Sequence, residues 1–340
     1  MRIRPFPLRV SNPKNQHGSA ILIILTIIGI GAAFMLVSAL NKANNQIARD
    51  KTTAAALAQA KDALIGFAAT YRDTHANEIF GYLPCPDTNN DGQADTPCGT
   101  QDVSTIGRLP WNSLGLPSLR DGGGECLWLA VSGSAKDNPK TTIFNWDTTG
   151  QIIVQDAGGA VLAGTAPHER PLALILAPRG VIGTQTRASA GASECGGSNT
   201  ATDYLENASI SAVAGATSSI TLSTAASVAG STNNDQGLWI TSKDIFDRIK
   251  KRSDFKNDID TMMIDLRDCL NSLAPTSLPV ASIGNKGINN IIATCPAIGT
   301  KKIKVQDNWK ENLLYAKLPT PTKIIIDGAL TSNSCTAVLL

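Results

Sequence analysis

Aromatic residues make up only 5% of the 340-residue chain, and there are three histidines, one of them at position 17. That leaves little material for a zinc site or a histidine-based catalytic centre, and it argues against a conventional hydrolase. No Gly-x-Ser-x-Gly elbow occurs. There is no global excess of positive charge either: 30 basic residues stand against 28 acidic ones, net +2, so no basic field points to nucleic acid. Acidic residues are absent from the first 18 positions, which carry Arg2, Arg4, Arg9 and Lys14. Proline is absent from Ser19 to Arg72, where glycine occurs only at 29, 31 and 66.

What is present begins with an apolar run. Ser19 to Leu40 has no charged residue; as a helix it reaches roughly 33 Å, enough for a hydrocarbon core of about 30 Å. The basic leader puts residues 1–18 in the cytoplasm and the remainder outside. A secretory signal would have a shorter apolar core, of about 7–15 residues, and a small-residue cleavage site beyond it. Here Gly18-Ser19 precedes the run. An uncleaved signal anchor is the alternative.

Beyond the span, Ile47, Ala54, Leu57, Lys61, Leu64, Ile65, Ala68 and Tyr71 recur at spacings of three and four, an amphipathic stripe. The pattern predicts one helix over 19–72, half in lipid and half on a head. This arrangement of leader, apolar helix start and amphipathic continuation resembles the type IV pilins and pseudopilins. The resemblance implies cleavage by a prepilin peptidase at Gly18-Ser19, with N-methylation of Ser19. It implies other pilins or pseudopilins and an inner-membrane assembly platform as partners, with the head in the periplasm before entry into a filament. Family members usually carry a glutamate five residues past the cleavage point, where this chain has Ile23. The large minor pseudopilin of type II secretion also lacks it. The resemblance therefore implies a minor, tip-proximal subunit, for assembly initiation or adhesion, and no enzymatic role. The reading from another class is a signal-anchored periplasmic binding protein or enzyme.

The expected fold class is α+β, with an antiparallel-sheet head that contains a repeat. The series Leu83-Pro84, Asp121–Ala130, Gln151–Val154 and Ala173–Leu176 recurs in order as Leu278-Pro279, Asp307–Ala316, Lys323–Ile326 and Ala337–Leu340. Asp-x-Trp-x-x-x-Leu-x-Tyr at 307–315 resembles a turn and strand of pseudopilin heads, which implies two tandem pilin-like modules. Apolar strands with Asp-Gly turns also recur in any α+β protein. The expected boundaries are a first head at 73–184, a Gly/Ser/Thr/Asn-rich loop region at 185–236 with a strand near Ile220, and a second helix plus head at 237–340. That helix starts near Thr241, with Asp244 placed for a capping box, and runs to Cys269.

All seven cysteines lie beyond the span, where disulfides persist. Cys85 and Cys98 bracket a hydrophilic loop, and Cys269 with Cys295 form a second expected pair. Cys126, Cys195 and Cys335 leave one odd thiol. The bridge that closes many pilin heads implies Cys195 with Cys335. Within the bracketed loop Asp87, Asn89, Asp91, Gly92, Gln93 and Asp95 occupy positions 1, 3, 5, 6, 7 and 9 of a calcium loop. Position 12, normally a bidentate glutamate, is Cys98, so the expected affinity is weak, about 10⁻⁴–10⁻³ M. A solvated turn stapled by a disulfide is the alternative reading.

Other features carry little chemistry. Gly122-Gly-Gly lacks the Gly-Lys-Ser/Thr of a phosphate loop. His75 and His168 have no ligand spacing. Glu125 and Glu194 precede Cys126 and Cys195 and disfavour thiolates. The tryptophans are expected in the core, and the mixed charges from Asp244 to Arg267 mark a solvated helix face.

Overall fold

The computed structural model describes residues 17–141, 143–183, 185–187, 195–223, 232–274, 277–278, 295, 309, 315–322, 325–326, 329–330 and 335–339. The leader up to residue 16, Pro279, Glu194 and most of 307–314 lie outside the described residues. The chain forms two compact units, 1–51 and 52–340.

A single helix, α1 (His17–Thr74), contributes to both units. Its sequence has no proline to interrupt the backbone ladder, which explains how 58 residues stay helical. It stops where the Thr74 hydroxyl and the His75 N–H both turn back to the Tyr71 carbonyl. Asn77 then takes a left-handed conformation at φ 64°, which asparagine tolerates better than most residues. From Ile21 to Asn45 every residue is exposed. From Thr53 onward Ala56, Leu57, Ala60, Leu64, Ala68 and Tyr71 are buried. The buried face keeps the expected positions 57, 64, 68 and 71, whereas Ile47 and Ala54 are exposed.

In the head, β1 (Thr105–Arg108), β2 (Trp128–Val131), β5 (Ala173–Ala177) and β7 (Gln236–Ile240) form an antiparallel sheet in the order β1-β2-β5-β7. Every residue of β2 and β5 is buried, as their unbroken apolar sequences require of strands covered on both faces. Leu129, Val131, Ala173 and Ile175 join a core with α1, α2 (Ser242–Ile249) and α3 (Ser253–Ser272). Trp128, Ala130, Leu174 and Leu176 face a second core. That core includes β3 (Ile152–Asp156) and β6 (Ser218–Leu222), which with β4 (Val161–Ala163) form a mixed sheet in the order β4-β3-β6. The β3–β6 pair is parallel, a departure from a purely antiparallel head. Farther on, β8 (Tyr315–Thr322) pairs antiparallel with β11 (Cys335–Leu339), and β9 (Ile325–Ile326) with β10 (Ala329–Leu330).

Two expectations about organisation need revision. The strand expected near Ile220 is β6, but β7, which begins at the last residue of the 185–236 stretch, completes the sheet of β1, β2 and β5. The segment therefore does not separate one sheet from another. The helix expected over 241–269 is two helices. Arg252 leaves the helical conformation (φ −80°, ψ 131°), and its guanidinium binds both oxygens of Asp73, the Ala69 carbonyl and Asp254. Attachment to the end of α1 thus breaks the run. At Thr241 the capping box forms: the Asp244 carboxylate accepts the Thr241 N–H at 2.8 Å.

Candidate functional site

The apolar part of α1 is the first candidate. Gly18 and Ser19 lie in its opening turn. Ile23 is 58% exposed and its carbonyl accepts the Thr26 hydroxyl at 2.8 Å, so the one hydroxyl between Ile21 and Val37 is satisfied inside the helix. This helix is long and apolar enough to cross a membrane, and none of its most apolar window is buried. Its surface there is uncharged and apolar.

The loop at 85–98 is the second. A disulfide joins Cys85 to Cys98, Cα atoms 5.7 Å apart. Asp87 is 1% exposed. Its Oδ1 accepts the N–H groups of Asn89 and Asn90, and its Oδ2 that of Gly92 at 2.7 Å. Burial pushes the Asp87 carboxyl up, and these three donors oppose the shift. Gly92 sits at φ 83°, and a Cβ there would lie 2.4 Å from Trp111, so the turn requires glycine. Asn89 Oδ1 accepts from the Asp91 N–H, and Asp91 Oδ1 from the Gln93 N–H. Asp95 accepts from Thr88 and Asn89, including the Asn89 amide at 2.9 Å.

The hard oxygen donors of a calcium loop are thus present, but those of Asp87 and Asp95 are turned onto N–H and O–H groups. Cys98 offers no oxygen side chain. As arranged, the set does not fit a calcium site, and among the described residues no three His, Cys, Asp or Glu side chains gather as ligands. Calcium rests on the spacing alone.

A third group of residues was not legible in the sequence. Cys126 is bonded to Cys195, Cα atoms 5.6 Å apart. This corrects the expected Cys195–Cys335 bridge, because Cys195 lies beside the start of β2. Cys335 lies in β11, and nothing is described of its side chain. A third disulfide joins Cys269 to Cys295. Beside Cys126, Asp121 is buried; its Oδ1 accepts the N–H groups of Gly123 and Glu125, and its Oδ2 accepts that of Arg179 at 2.6 Å. Gly122 donates to the Thr53 hydroxyl. The Gly124 N–H goes to the Asp121 carbonyl, so all three glycine amides are spent on protein acceptors, which removes them as an anion cradle. Arg187 pairs with Glu125 at 3.1 Å and donates to the carbonyls of Arg179 and Tyr204.

Arg108 and Lys136 are almost fully buried. Arg108 stacks between the rings of Trp128 and Tyr204, 4.9 and 4.7 Å from their centroids, and donates to the carbonyls of Gly196 and Ser198. Lys136 donates to the carbonyls of Cys98, Thr100 and Val103; burial pushes its ammonium down, and Asp102 opposes that. Both anchor loops. His75 stacks on Tyr71 at 3.9 Å, and His168 lies in a 3-10 turn. The His75 Nδ1 lies 3.0 Å from the hydroxyl of the adjacent Thr74.

Compared with protein-family models, curated proteins and solved structures, the chain matches none. Its architecture is α+β, with one long N-terminal apolar helix and a disulfide-bonded head.

Proposed function

We propose that this chain is a non-enzymatic minor subunit of a type IV pilus or a type II secretion pseudopilus. Prepilin peptidase cleaves it at Gly18-Ser19, and it sits near the filament tip. The observation that carries the reading is α1: one helix whose apolar first half has no buried side chain and whose second half is built into the head core. An ordinary anchor needs only the first half. In a filament subunit a continuous helix carries pulling force from the membrane into the head. In this reading residues 1–18 are cytoplasmic, the helix lies in the bacterial inner membrane and the head is periplasmic until extraction. Without a carboxylate at Ile23 the subunit has no partner for the ammonium of a subunit ahead of it, which suits a terminal position. A charge at that depth costs about 2.5–3.5 kcal/mol on insertion scales, so it is kept where a partner exists.

The head in this proposal is two tandem pilin-like modules, and strand register supports it. Across β2 and β5, Leu129 faces Ile175, Ala130 faces Leu174 and Val131 faces Ala173. Aligning Asp121–Ala130 with Asp307–Ala316, and Ala173–Leu176 with Ala337–Leu340, carries these pairs onto three others. They are Tyr315 with Leu339, Ala316 with Val338 and Lys317 with Ala337, the pairs that β8 and β11 form. A one-residue slip would destroy the match, because strand register reverses faces at each step.

Photo-crosslinking from Ile30 and Phe34 in cells tests the assembly role. Crosslinks to other apolar-helix subunits, recovered in sheared filaments or membrane pseudopili, are expected. Crosslinks to lipid alone would favour the anchored binding protein or enzyme.

A further inference from the structure

A pair of acidic side chains in the head has no part in the proposed assembly role. Asp235, just before β7, is 0% exposed. Its Oδ2 accepts the Glu206 N–H at 2.7 Å, while Glu206 Oε2 accepts the Asn234 N–H at 3.0 Å. This reciprocal arrangement sets the two acidic side chains side by side, each seated on the other's stretch of backbone. Asp235 Oδ1 finds no N–H or O–H donor among the described residues. Two ionised carboxylates cannot share a hydrogen bond, since neither has a proton to give.

The surrounding charges do not resolve the repulsion. Arg187, from the segment after β5, is the cation that acts on both carboxyls, but its Nη1 already pairs with Glu125 from the turn before β2. Asp203 accepts the Ser198 hydroxyl. Neither β6 nor β7 carries a charged residue. Arg187 therefore faces three carboxyls, those of Glu125, Glu206 and Asp235, and a proton makes up part of the deficit.

We propose that Glu206 and Asp235 hold one proton between them and form a latch that alkali opens, releasing the segment after β5 from the segment before β7. The latch joins three stretches. Gln185 donates to Glu206 Oε1. Asn233 donates to the Glu206 and Thr221 carbonyls, and Asn234 to that of Gly180. The Asp235 carbonyl accepts the Ser223 N–H at the end of β6. Burial, then the Glu206 charge, pushes Asp235 up to about 9.

The sign follows from linkage. An acid held protonated by the fold binds a proton that the unfolded chain has released above its ordinary range. Stability is then greatest in acid, falls as pH rises, and levels off above about 9. A head in the periplasm meets the external pH, so acid stiffens these segments and alkali loosens them.

Thermal melting of the full-length, detergent-solubilised chain between pH 6 and 9 tests the latch. Wild type is expected to lose several degrees of Tm over that range. Asp235→Asn, whose amide can donate to Glu206 permanently, should flatten the profile and melt above wild type at pH 9. The same profile in both proteins would overturn the proposal. Should D235N fail to fold, infrared spectra of the wild type decide. A protonated carboxyl carbonyl band that persists at pH 7 and vanishes above pH 9 is expected, and its absence at pH 7 would overturn the latch.

Discussion

Thr53, the first buried side chain of α1 among the described residues, accepts a hydrogen bond from the Gly122 N–H at 2.9 Å. One turn earlier the helix is exposed on every side, apart from the half-buried Asp50. Thr53 thus marks where a membrane-type surface ends and a core face begins, and the turn of Asp121 fastens that point to β2.

The two halves of α1 should respond oppositely to truncation. Leu64 is fully buried against the sheet, so Leu64→Ala is expected to destabilise the head by about 2–5 kcal/mol in urea unfolding. Ile30→Ala, 71% exposed before truncation, should leave that midpoint unchanged and weaken membrane or filament association instead. Equal effects on the head would contradict the division at Thr53.

The bridge from Cys126 to Cys195 closes a separation of 69 residues, which corresponds to about 4 kcal/mol of unfolded-chain entropy. Non-reducing peptide mapping is expected to recover these two cysteines in one linked peptide. The C126S/C195S double variant should unfold at distinctly lower denaturant. Recovery of Cys195 linked to Cys335 would contradict the structure.

Asp87 holds its loop through three backbone N–H groups. Asp87→Ala leaves those of Asn90 and Gly92 buried without an acceptor, a loss of about 1–3 kcal/mol for an orphaned group. Wild-type Tm in EDTA should equal that in millimolar calcium if the turn network alone orders the loop. A rise in calcium that disappears in Asp91→Asn would instead assign the cation proposed from the spacing.

Thr241→Ala removes one half of the capping box at α2, where Asp244 accepts from both the Thr241 N–H and hydroxyl. A cost of about 1 kcal/mol is expected, measured by chemical denaturation. Asp244→Asn should recover part of the cap, because its side-chain oxygen still accepts.

Local pattern made much of this legible. The length of α1, the strands at Leu127–Ala130, Gln151–Val154 and Ala173–Leu176, and the cap at Thr241 depend on residues within a few positions of one another. What was not legible depends on distance. The pairing of Leu238 with Ile175 is invisible until β7 is placed, so a polar tract at 185–236 read as a boundary. Cys126 and Cys195 meet because the turn before β2 meets the chain after β5, not because of their spacing. The buried polar residues were illegible for the same reason. Arg108, Lys136 and Asp235 carry no local mark distinguishing them from solvated side chains, and their carbonyl and carboxyl partners come from remote loops.

In a filament subunit processing precedes assembly, and the intact mass of the membrane-extracted chain tests this most directly. With prepilin peptidase present, a chain beginning at Ser19 is predicted, with N-methylation; without the peptidase, residues 1–18 should remain. A chain that keeps residues 1–18 in both cells would contradict the filament reading and leave a signal-anchored protein.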